Sequence, residues 1–317
     1  MGMSGDLVTA PSDSPARRTV DAANKAAGAA AKASGVQIRE LSELADLQRF
    51  CALVDEIWHP KPGNEPVTAE FLRALAHAGN YVAGAFLGDE LVGASVGFFA
   101  SPAARAMHSH LAGVSSRLPG KHIGFALKLH QRAWALSRGV TAITWTFDPL
   151  VCRNAYFNIA KLAARPVEYL PDFYGAMEDD INSGDDSDRL LVHWPLADDS
   201  VARASQGVSS GADAGDLRAA GASVALDCDP SGFPIIIQNG DGAASAVLVG
   251  VPQDIEATRR DNREAARQWR HAMRQVLGGL LADGGRVTGF DRSGWYVVER
   301  GHPARDAASN PDRKASL

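Results

Sequence analysis

Cysteine is scarce in this chain: Cys51, Cys152 and Cys228 are its only three in 317 residues. They are too few and too scattered for a disulfide framework, and no CxxC pair marks a metal site. Such usage suits a reducing compartment, so the expected location is the cytoplasm. Long apolar runs are missing too. No stretch approaches ~20 uninterrupted apolar residues, the length a membrane-spanning helix needs, and the first residues lack the apolar core of a secretory leader. Nor is there excess positive charge. The 32 Lys and Arg are outnumbered by 37 Asp and Glu, for a net charge of -5. Without a basic run interleaved with aromatics, neither nucleic acid nor a membrane surface is an expected partner. What remains, 45% hydrophobic and 22% charged residues, is the composition of an ordinary globular protein, with length for about two domains.

Composition divides the chain. Residues 1–35 are rich in Ala, Ser, Gly and Asp and read as a disordered tail. Residues 198–221 have the make-up of a linker, and 302–317 read as a second tail. Between them lie one unit at 36–197 and a smaller α+β module at 222–301. The first unit reads as a strand at 36–41, helices at 42–59 and 68–79, and strands at 81–87, 91–99 and 106–114. A loop and a helix ending at Gly139 follow, then a strand at 141–148, a helix at 153–164, and strands near 166–170 and 189–196. Strand–helix–strand across residues 106–148 predicts a crossover onto a parallel neighbour. The module reads as three strands, a long helix bearing Ala266, Trp269, Met273, Val276 and Leu280 on its apolar face, and a closing hairpin.

The helix before Gly139 carries Phe125, Leu129, Ala133 and Leu136 as its apolar stripe, with Lys128, Gln131, Arg132 and Arg138 assigned to other faces. Its start lacks a Ser, Thr, Asp or Asn cap, so the amides near residues 121–124 are open to water or to a bound anion. The stretch is no P-loop, because Gly120-Lys121 is followed by His122 rather than Ser or Thr. Neither is it a dinucleotide fingerprint, having only Gly120 and Gly124, even with Asp148 as a ribose partner at the next strand end.

From Val36 to Leu196 the order of elements resembles the GNAT superfamily of acyl-CoA-dependent N-acyltransferases. Its V-x-P-x-x-R-G-x-G-x-G loop, which binds the CoA pyrophosphate, is similar to VSSRLPGKHIG, residues 114–124, in length and in Val114, Gly120 and Gly124. The chain departs at Pro119, which removes an amide donor, and at His122, where the family has Gly; Arg117, Lys121 and His122 offer charge instead. On the next helix Ala155 and Lys161 keep a family pattern, while Ile159 stands at the position of a Tyr that protonates the CoA thiolate. The resemblance implies a mixed, splayed central sheet flanked by helices, with the C-terminal module added. It also implies acetyl-CoA, succinyl-CoA or a similar acyl-CoA as co-substrate, and main-chain contacts to it from Leu111, Gly113 and Val114. The implied acceptor is the amine of a small molecule, such as an amino acid, acylated by direct transfer without a metal. Two alternatives stand beside it: a non-catalytic acyl-CoA sensor, and an aminoacyl or peptidyl transferase using charged tRNA.

Acyl transfer needs a base for the amine and an acid for the thiolate. His108 and His110 share one face of their strand, with Ser109 on the other; His110, nearer the CoA end, is the candidate base, and a structural sheet histidine is its bland reading. Tyr174, within the turn-forming PDFYG, is the candidate acid, ahead of Tyr169 and Tyr156. Asn154 is a candidate contact for the pantetheine or a helix cap, with Asn158 one turn on. Trp58, His59 and the loop after them are placed to wall the acceptor. Oligomeric state is left open, a homo-oligomer included.

Overall fold

The computed structural model describes residues 14–118, 120–175, 185–209, 211–237 and 244–301. The chain enters through α1 (Pro15–Ala33), β1 (Gln37–Glu40), α2 (Leu44–Trp58) and α3 (Ala69–His77). Next come β2 (Tyr81–Leu87), β3 (Glu90–Phe99), β4 (Ala106–Val114), α4 (Ile123–Ser137), β5 (Ala142–Phe147), α5 (Cys152–Ala155), β6 (Arg165–Leu170) and β7 (Arg189–Pro195). These seven strands form one sheet in the order β1-β2-β3-β4-β5-β7-β6. Every neighbouring pair is antiparallel except β4 and β5, the parallel pair that the crossover predicted. α2 and α3 cover one face, packing Leu47, Phe50 and Leu72 against Val82, Phe86 and Val96. The other face buries Trp134, Trp145 and Trp194 in a second cluster.

Residues 14–33 are not a disordered tail. Ser14 caps α1 by accepting from the amide of Arg17, Pro15 opens the helix, and an alanine-rich run follows, the composition of highest helix propensity. Small side chains let it approach α4 closely, burying Ala23 and Ala27 against Leu129 and Ala133. Residues 1–13, like 302–317, lie outside the described residues. This contact also corrects the reading of α4. The stripe Phe125, Leu129, Ala133 and Leu136 faces α1, while Lys128, Gln131 and Arg132, assigned to other faces, are buried. α4 is a sandwiched helix with two covered sides.

Nor is 198–221 an open linker. It folds as α6 (Asp199–Ser205) and α7 (Ala214–Ala219), each capped by an aspartate, Asp198 and Asp213. A second sheet follows, built from β8 (Ser223–Cys228), β9 (Pro234–Ile236) and β10 (Ala246–Gly250). The long helix is interrupted where Asn262 caps a fresh start: α8 (Ile255–Asp261) precedes α9 (Arg263–Met273), and α10 (Gly279–Ala282) ends the run. The hairpin β11 (Arg286–Asp291) and β12 (Trp295–Glu299) completes the sheet in the order β11-β12-β10-β8-β9. Leu226, Val249, Trp269 and Met273 belong to the same apolar cluster as Trp145 and Trp194. The C-terminal unit therefore shares a core with the first sheet.

Candidate functional site

β4 and β5 stay side by side for three rungs only: Ala106–Ala142, Met107–Ile143 and His108–Thr144. Beyond them β4 keeps β3 as neighbour as far as Val114, and β5 keeps β7 to Phe147. The strands part into a V, and the main-chain groups of Ser109–Val114 that face β5 have no strand partner. Within this stretch Leu111 pairs with Val96 and Ser109 with Gly97, so His110 is the extra residue of a bulge. Bulges re-aim side chains beside sites. Here the bulge sets Leu111 against the α2 face, while Ser109 meets Lys128 of α4.

The V opens into a cleft of about 710 Å³ lined by Ser109–Val114, Gly124 and Lys128, by Trp145–Phe147 of β5 and Asp148 just after it, and by Asn154 and Asn158. Trp58 walls one side, and an added Cβ at Gly113 would run into its ring. Tyr174, Arg189, Glu256 and Arg259 stand at the far end, the last two from α8.

Burial sets the protonation states here. His108 and His110 lie together on one face against Phe98, ring centroids 6.5 Å apart. Burial, with His110 and Lys128 nearby, pulls His108 down to about 4. Desolvation by the cleft walls lowers His110 as well, so both imidazoles are neutral at pH 7. Lys128, only 4% exposed, is brought down to about 7 by burial. Its ammonium lies 3.0 Å from Ser109 Oγ, 2.9 Å from Gln131 Oε1 and 3.7 Å from the Trp145 ring centroid.

A different arrangement joins α8 and α9 to the sheet. Arg270 donates to both oxygens of Asp148 at 2.9 and 2.8 Å, and Arg259 reaches Asp148 and Asp185. Burial alone would raise the Asp148 carboxyl, but Arg270 and Arg259 outweigh it and hold it well below the usual range. Asp148 is therefore a structural anion rather than a ribose partner or a bare turn. Tyr169 donates to Asp188 at 2.7 Å, and burial and that carboxylate push its phenol up, which removes it as an acid.

Of the residues nominated from sequence, His110, Tyr174, Leu111, Gly113, Val114, Gly124 and Asn154 line the one cleft. The hydroxyl of Tyr174 lies 3.1 Å from Thr146 Oγ1. Arg117, Gly120, Lys121 and His122 sit exposed at the rim. Arg117 is engaged there by Glu56 at 3.0 Å and Glu90 at 3.2 Å. Gly120 has φ 77° and His122 φ 55°, and no side chain caps α4; Pro119 lies outside the described residues. Asn154 does not cap α5, whose cap position is Val151. Ile159 is buried in the core. Sequence reasoning missed Lys128, Ser109 and the Arg259–Arg270 pair. The available signal was a lysine three residues before a glutamine, one helical turn apart on the same side of the helix.

Among the described residues, no group of three or more His, Cys, Asp or Glu is placed to hold a metal, and no helix is long and apolar enough to cross a membrane. No protein-family model matches the chain, and comparison with curated proteins gives no match either. Solved acetyltransferase structures are similar to about half of it. An acetyltransferase of the GNAT family from Streptococcus pneumoniae is 14% identical, covering 50% of this chain and 98% of its own, with a TM-score of 0.41. Mycobacterium smegmatis RimJ in complex with CoA-disulfide is 19% identical, covering 56% of this chain and 91% of its own, at 0.42. The ribosomal-protein-S18-alanine N-acetyltransferase from Escherichia coli is 12% identical, covering 51% and 94%, at 0.41. By its own strand order, with one parallel pair parting into a V, the first unit has a mixed, splayed α+β fold.

Proposed function

We propose that the chain is an acyl-CoA-dependent N-acyltransferase that moves an acetyl, succinyl or similar group directly to the amine of a small molecule, with amino acids the first class to try. The observation that carries this reading is the V between β4 and β5. An extended pantetheine arm carries amide groups and would dock on the free main-chain edge of Ser109–Val114 as an added strand does. At the wide end, the turn through Gly120 and His122 and the uncapped start of α4 would offer amide hydrogens and the positive end of a helix dipole to the diphosphate. Gly124 leaves room on that path, since an added Cβ there meets nothing nearer than Val114 Cγ2 at 3.7 Å.

At the deep end, a neutral His110 fits the removal of a proton from an acceptor ammonium. Tyr174 and Thr146 flank the acceptor side. Glu256 and Arg259 of α8 border the cleft there, which favours a small acceptor over a polypeptide. A thermal-shift series with CoA, acetyl-CoA and succinyl-CoA, followed by transfer assays over an amine panel, tests the reading. Ligand at about 100 times its Kd stabilises the folded state by about 2.7 kcal/mol. No shift with any of the three would contradict the proposal. Binding without transfer to any amine would favour the sensor.

A further inference from the structure

Lys128 occupies the apex of the V. Its ammonium group bridges the parting strands, 3.0 Å from Ser109 Oγ on β4 and 3.7 Å from the Trp145 ring centroid on β5. Gln131, one turn on, holds it from its own helix at 2.9 Å. Trp194 of β7 lies at 5.8 Å, and the titratable group of β4 that feels its charge is His108, from across the strand. Among the described residues no carboxylate forms an ion pair with it. Burying a cation without an opposite charge is costly, and an aliphatic side chain would fill the same space more stably. The contacts nevertheless suit either protonation state. As ammonium it has three acceptors: Ser109 Oγ, Gln131 Oε1 and the indole face. As amine it keeps two of these and accepts from the Ser109 hydroxyl.

Position ties this pair to the reacting end. Ser109 is the first residue beyond the last β4–β5 rung, His108–Thr144, and both Ser109 and Lys128 line the cleft. A thioester inserted to the end of the V would bring its sulfur to the level of Ser109. The imidazole of His110 packs with His108 against Phe98, and strand alternation sets it on the opposite face from Ser109, so base and relay would flank the thioester from opposite sides.

We propose, resting on the acyltransferase reading above, that Ser109 and Lys128 form the relay that protonates the leaving thiolate. The acceptor nitrogen bonds to the thioester carbon and gives its proton to His110. As the C–S bond breaks, its electron pair goes to sulfur, which takes the Ser109 hydroxyl proton while the Lys128 ammonium restores that hydroxyl. Solvent then takes the proton from His110 and reloads Lys128. Ser109 is the catalytic residue, touching sulfur; Lys128 is a positioning residue acting through it. An ammonium that titrates near 7 passes its proton downhill to a thiolate, whose conjugate acid has a pKa of about 8.5.

The test uses the full chain, with hydroxylamine as the amine probe and two esters: acetyl-CoA, and S-acetyl-4-nitrothiophenol, whose stable thiolate leaves without a proton. Ser109→Ala, Lys128→Met and Tyr174→Phe are compared with the unaltered protein. The first two are expected to hold acetyl-CoA within about twofold of its original Kd and to lower kcat about 10²-fold. They are also expected to erase the fall of kcat above neutral pH, and to show little defect with the nitrothiophenyl ester. Equal defects on both esters, an unchanged pH profile, or loss of kcat in Tyr174→Phe instead would overturn the relay while leaving the reading intact. Failure of the unaltered protein to bind acetyl-CoA would overturn both.

Discussion

Two buried charge sites border the same cleft, and they are built on opposite principles. Around Asp148, two carboxylates meet two guanidinium groups, and all four side chains are nearly inaccessible, at 1–7% exposure. Lys128 is as deeply buried, with hydroxyl, amide and indole partners and, among the described residues, no carboxylate. The first site balances its charge and fastens α8 and α9 to β5. The second leaves a charge unbalanced where β4 and β5 begin to part. Complete pairing is what a joint between two units requires, whereas a proton donor must be able to lose its charge.

The contrast can be broken most severely at the paired site. Asp148→Ala removes the shared acceptor of Arg259 and Arg270 and is expected to destabilise the fold by about 3–5 kcal/mol, the range for breaking a buried pair from one side. Chemical denaturation reads this out as a lower midpoint with an unchanged slope. The pH dependence has the matching sign. The Asp148 carboxyl is depressed in the folded chain, so its stabilisation is complete above the unfolded carboxylate pKa of about 3.9 and is lost as pH falls below it.

His110→Ala sets the catalytic effect next to the structural one. A cut in kcat of at least ~10²-fold is expected, with the acetyl-CoA Kd unchanged, as steady-state kinetics and calorimetry would show. An unaltered kcat would remove His110 from the chemistry.

Lys128→Met sharpens the comparison through stability. Lys128 titrates near 7 in the folded chain and near 10.4 when unfolded. Between those values the unfolded chain binds more protons, so stability rises with pH across that window. The cost of burying the charge is complete below pH 7 and gone above about 10.4. The variant is expected to be at least as stable as the parent at pH 6 and to lose that alkaline rise, as melts across pH would record. Marked destabilisation at pH 6 would make Lys128 a packing residue.

The smallest effect is expected at the exposed rim, where Arg117 bridges Glu56 and Glu90. Arg117→Ala should change stability by less than about 1 kcal/mol and weaken CoA binding only if the guanidinium leaves those carboxylates for the diphosphate. Titration at two salt concentrations separates the two.

How much of this was legible in the sequence follows from what periodicity can encode. Alternating apolar strands and capped helices gave the order of elements from 36 to 196, and the Val114–Gly124 stretch pointed to the cleft that His110, Gly124 and Tyr174 line. Periodicity reports that a helix has an apolar stripe, not which partner covers it. On α4 the stripe belongs to α1, and α1 itself looked like a tail because it buries alanines rather than large side chains. Lys128 and Gln131 were hidden for the complementary reason: each satisfies the other and a neighbour across the fold, and nothing in the local sequence names Ser109, Ser95 or Trp145 as that neighbour. The Asp148–Arg270 contact spans 122 residues, a separation that no motif spacing records.

The claim beneath all of this is that the free edge of β4 receives the pantetheine arm of an acyl-CoA. Amide hydrogen exchange with and without acetyl-CoA measures that edge directly. The account predicts slowed exchange concentrated in Ser109–Val114 and in the first turn of α4. Unchanged exchange at those amides, with protection elsewhere or nowhere, would contradict it.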